Sequence, residues 1–96
     1  MEYGDYKVEV TGELKKIIFE TKDKDKGLMI HRAAFILLTH KNGPQVRFKI
    51  TKKRNHFDSR DKKGKTSTER EVRSELCRML GNDGGVETYA KAMMFV

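Results

Sequence analysis

The sequence has no tryptophan, one proline and one cysteine among its 96 residues. A single thiol, Cys77, cannot close an internal disulfide. That excludes a small disulfide-stapled scaffold and leads us to expect a reducing compartment, the cytoplasm or a eukaryotic nucleus. Long apolar runs are also missing. The longest, Ala33–Leu38, falls far short of the ~20 residues a membrane-spanning helix needs. No basic start followed by an apolar stretch suggests a signal peptide, so no membrane association is expected. There is no Gly-rich phosphate loop, no dinucleotide fingerprint and no Ser or Cys nucleophile signature. Hydrophobic residues make up only 36% of the chain. The core must therefore be small, enough for one sheet and one or two helices in a single domain over 1–96.

Charge, by contrast, is abundant and unevenly placed. Lys and Arg number 21 against 14 Asp and Glu. Residues 41–65 hold ten of the cations, opposed only by Asp58 and Asp61. The rest of the chain is close to neutral. A localised excess of this kind attracts a polyanion and speeds its capture.

The hydropathy pattern predicts strands first and a helix after them. Tyr6–Val10 alternates, and Leu14–Glu20 resumes an extended character after Gly12, as one long bent strand or two short ones. Thr21–Gly27 reads as a loop of alternating charge. Its Asp23 and Asp25 lack the glycine and closing glutamate of a calcium loop. A central strand is predicted at 28–39, and another, Val46–Thr51, follows Asn42-Gly43, a strong hairpin signal. A two-residue turn there sets Leu37 opposite Phe48 and Phe35 opposite Ile50 on the core face, with Leu38 opposite Arg47 and Ile36 opposite Lys49 on the other. If Pro44 lengthens the turn, the register moves by one and the faces exchange.

Segment 52–66 reads as a basic loop or hairpin arm, apolar only at Phe57. Thr66 with Glu69 and Thr68 with Glu71 are overlapping capping boxes at the start of a helix over 68–80, whose apolar stripe is Val72, Leu76, Met79 and Leu80. Gly81 closes it, and Asn82–Gly85 reads as a turn. The tail at 86–96 fits a short helix or a terminal strand. The expected fold class is α+β: a three- to four-stranded antiparallel meander packed on a C-terminal helix. The expected core is Val8, Val10, Ile18, Phe35, Leu37, Phe48, Ile50, Val72, Leu76, Met79, Leu80 and Met93.

The leading functional expectation is a non-enzymatic nucleic-acid-binding protein, for RNA or DNA. Alternate residues of a strand stand ~6–7 Å apart, so a row of Lys and Arg can track a phosphate backbone. Arg47, Lys49, Lys52, Lys53, Arg54, Arg60, Lys62, Lys63 and Lys65 are the candidate phosphate contacts, with Phe57 and His56 as stacking candidates. Two alternatives stand beside it. One is a small inhibitor or adaptor whose basic arm docks on an acidic protein surface. The other is a small nuclease using Asp5, Glu13 and Lys15 around a metal, or His56 or His40 as general base. His31, His40 and His56 lack the spacing of zinc ligands, so no metal or cofactor is expected. The expected assembly is a monomer, or a homodimer through the C-terminal tail.

Overall fold

The computed structural model describes residues 1–52, 55–59 and 65–96, and for 55–59, 65 and 66 the backbone only. It is an α+β fold in which an antiparallel meander packs against C-terminal helices. The strands are β1 (Glu2–Tyr3), β2 (Tyr6–Glu20), β3 (Lys26–His40), β4 (Gln45–Ile50), β5 (Asn55–Ser59) and β6 (Lys65–Ser67). They lie side by side in chain order. Four of them, β2 to β5, have five residues or more. Helices α1 (Glu69–Leu80) and α2 (Asn82–Met93) follow.

The β3–β4 connection decides which face of the sheet is the core. Three residues, Lys41, Asn42 and Gly43, make the turn. The Gly43 N–H bonds to His40 O (2.8 Å) and the His40 N–H to Pro44 O (2.9 Å). Gly43 takes φ 105°, the positive value a three-residue hairpin loop requires and a side chain resists. The longer turn sets Ile36 opposite Phe48 and Leu38 opposite Val46, and it puts Leu37 opposite Arg47 and Phe35 opposite Lys49. The two-residue register is thus corrected by one position. Ile36 and Leu38 are fully buried, whereas Phe35 and Leu37 are half-buried on the far face.

The core sits between this sheet face and the helices: Val8, Ala34, Ile36, Leu38, Phe48 and Ile50 against Val72, Leu76, Leu80, Tyr89 and Ala92. Helix α1 starts where one of the two capping boxes places it. Thr68 Oγ1 accepts from the Glu71 N–H (3.1 Å), and Glu71 Oε1 accepts from the Thr68 N–H (3.2 Å). The expected turn at Asn82–Gly85 is instead the first turn of α2. Its glycines serve close packing. A Cβ on Gly85 would fall 2.5 Å from the Cys77 backbone N, so only glycine lets α2 lie this tightly on α1. The tail is tied down as well, because the Phe95 ring lies directly over Gly12 of β2. Tyr3 links β1 to α2 by donating to Glu87 Oε2 (2.7 Å), a bond that raises the phenol pKa above its usual value.

Strands β2 and β3 outrun the rest of the sheet. Their pairing continues from Glu13↔Ala33 to Glu20↔Lys26, beyond the end of β4 at Ile50↔Ala34. The result is a two-stranded ribbon roughly 25 Å long that stands clear of the body. It accounts for a 54 Å long axis and a radius of gyration of 15.7 Å, against about 13 Å for a compact chain of ~100 residues. Leu14, Ile17, Ile18 and Phe19 on β2 and Leu28, Met29 and Ile30 on β3 are all exposed there. Ile18, expected in the core, is 76% exposed, and Met93 is exposed on α2.

Candidate nucleic-acid interface

The face of the sheet turned away from the helices is open. Strand alternation brings every second residue of β2, β3 and β4 to it, and the ladder aligns them in rows. Glu9, Leu37 and Arg47 form one row; Thr11, Phe35 and Lys49 form the next. Phe35 is a half-buried aromatic at the middle of this surface. The Arg47 guanidinium carbon lies 5.5 Å from its ring centroid and the Lys49 Nζ lies 5.8 Å from it. Both distances fall within cation–π range, worth roughly 0.5–1 kcal/mol each at an exposed site.

Two adjoining hollows mark this face. The smaller, of 330 Å³, is lined by Glu9, Thr11, Glu13, Phe35, Leu37 and Arg47. The larger, of 740 Å³, lies where the ribbon rises from the body. Its charged lining consists of Glu13, Lys15, Arg32, Lys49 and Lys52, with His31 among them. The acids here already have partners, Glu13 on Lys15 (3.3 Å) and Glu9 on Lys7 (3.7 Å). Arg47, Lys49 and Lys52 make no ion pair with any carboxylate whose side chain is described. The surface thus presents two cations, Arg47 and Lys49, beside one aromatic ring, with Lys52 in the adjoining hollow and the backbone of Asp58 on β5 opposite Arg47.

Arg47 and Lys49 are brought together, and Lys52 shares the larger hollow with Lys49. Lys53, Arg54, Arg60, Lys62 and Lys63 lie outside the described residues. For three others the backbone gives a register position: His56 opposite Lys49, Phe57 opposite Phe48, and Lys65 opposite Phe57. Phe35, Lys15, His31 and Arg32, which line these hollows, are not among the nucleic-acid contacts expected from the sequence. The signal for Phe35 is Pro44: the longer turn, the alternative to the two-residue one, moves Phe35 to the open face.

The residues considered for a nuclease lie apart. Asp5 pairs with Lys41 (3.2 Å) beside the β3–β4 turn, while Glu13 pairs with Lys15 at the base of the ribbon. Eight positions of extended chain separate the two carboxylates, roughly 25 Å. His40 packs edge-on against Tyr6 at 5.0 Å, and its Nδ1 accepts from the Asn42 N–H (3.1 Å), so it braces the turn. Among the described residues no group of three His, Cys, Asp or Glu is placed to hold a metal ion, and no helix is long and apolar enough to cross a membrane. No protein-family model, no curated protein and no solved structure matches the chain.

Proposed function

We propose that the protein is a non-enzymatic nucleic-acid-binding protein of the cytoplasm or nucleus, and that the open sheet face is its binding surface. The observation that carries this reading is the placement of the exposed Arg47 and Lys49 over the Phe35 ring. In the free protein both cations rest on the ring. Phosphates draw these flexible side chains outward, and the uncovered ring face takes a base. Lys52 follows the end of β4, and the sequence of segment 52–66 supplies further cations. Backbone contacts of this type fix position on a polyanion and carry little sequence information.

The test is a titration of a fluorescent single-stranded oligonucleotide across a salt series, with and without magnesium. Arg47, Lys49 and Lys52 alone give a slope of about −2 in log K against log salt, and the basic segment steepens it. Binding that ignores salt, or no binding at low salt, contradicts the reading. Magnesium-dependent cleavage of the oligonucleotide contradicts its non-enzymatic part.

A further inference from the structure

We propose that the chain forms a two-fold dimer by pairing the outer edges of two copies of β2, antiparallel and centred on Leu14. The occupant of the exposed ribbon is thus a second copy of this chain.

Among the described residues the edge is free where the pairing requires it. Strand β1 covers only the start of β2, and the last contact on that side is Met1 with Val8, whose N–H and C=O both bond to Met1. Backbone direction alternates along a strand, so Val10, Gly12, Leu14, Lys16 and Ile18 turn their N–H and C=O outward as Val8 does. No strand meets them among the described residues. An unpaired edge of this length is a template for another strand, and a lone two-stranded ribbon is marginal in water.

The side chains select both the partner and the register. In a two-fold pairing that keeps each sheet face continuous, the centre falls on a single residue. Centring on Lys15 or Lys16 sets a lysine against itself. Centring on Leu14 sets leucine on leucine and Glu13 opposite the partner's Lys15, twice. It also sets Val10 opposite the partner's Ile18. Phe95 lies over Gly12 on that same face, and Met94 beside it is 82% exposed. The most exposed apolar residue of the ribbon thereby arrives beside the exposed apolar end of the tail. Alternation keeps both helical layers on one side of the joined sheet and both open faces on the other.

Sedimentation equilibrium on nucleic-acid-free protein tests the pairing. The wild-type chain is expected at twice 11.1 kDa. Glu13→Lys and Lys15→Glu each place like charges opposite each other in their own homodimer, so each variant alone is expected at 11.1 kDa. Mixed in equal amounts they match charge for charge, and a 1:1 heterodimer returns. Leu14→Cys in a Cys77→Ser background gives a second readout, since residues at the axis come within the ~5.5 Å Cα spacing a disulfide accepts. Mild oxidation should link it into a dimer. A wild-type monomer throughout the dilution series, charge variants that dimerise alone, or no oxidative cross-link at position 14 overturns the proposal.

Discussion

Replacing Arg47 and Lys49 together with alanine is expected to lower affinity for single-stranded oligonucleotides by roughly 10–100-fold at moderate salt and to reduce the salt slope by about 1.4. Both side chains are exposed on β4, where they lie over the Phe35 ring. Their loss therefore costs the fold little. The two cation–π contacts together amount to about 1–2 kcal/mol at most, and an unfolding curve taken beside the binding curve separates the two effects. Arg70→Ala, an exposed position on α1, is the control and should change affinity less than about twofold. A control loss half as large on a logarithmic scale as that of the double variant, in proportion to the charge removed, would mean that net charge alone attracts the ligand and that the open face has no special role.

The second large effect concerns the turn that defines that face. Leu38→Ala is expected to destabilise the protein by about 2–5 kcal/mol, because Leu38 is fully buried and its removal leaves a cavity among well-packed neighbours. Leu37→Ala, one residue earlier, should cost about 1 kcal/mol or less, since Leu37 is half-buried on the open side opposite Arg47. Urea denaturation of both variants reads the difference directly. Under the two-residue turn the order would be reversed, so the pair of measurements fixes the β3–β4 register independently of any ligand.

That register also marks the boundary of what the sequence makes legible. The class of fold is visible in it: Val46–Thr51 alternates as a strand, Thr68 and Glu71 cap a helix, and Val72, Leu76 and Leu80 repeat on one helical face. Each of these signals is local. What is not local is the choice of face in β3. Every residue from Ala33 to Leu38 is apolar, so the run carries no alternation from which to assign sides. Only the turn chemistry decides, and Asn42-Gly43 favours two residues where Pro44 makes three. Gly84 and Gly85 mislead for a related reason. A glycine pair reads as a turn, and its use for a close helix contact depends on Cys77, which is known only once α1 and α2 are folded together.

The ribbon is a third case. Ile18 has the composition of a core residue, and nothing within its own strand reveals that β4 stops short of it. The candidate site divides along the same line. The cations of β4 were legible from alternation and charge. Their aromatic partner was not, because Phe35 reaches the open face only through the one-residue shift.

The most direct test of the open face as the binding surface uses the absence of tryptophan from the chain. Phe35→Trp introduces a single indole between Arg47 and Lys49 at the centre of the proposed surface. Titration with an unlabelled single-stranded oligonucleotide should quench its fluorescence saturably, with the affinity and salt dependence of the wild-type protein, as a base stacks on the ring. An indole whose emission stays unchanged while the oligonucleotide binds elsewhere on the protein would contradict the account.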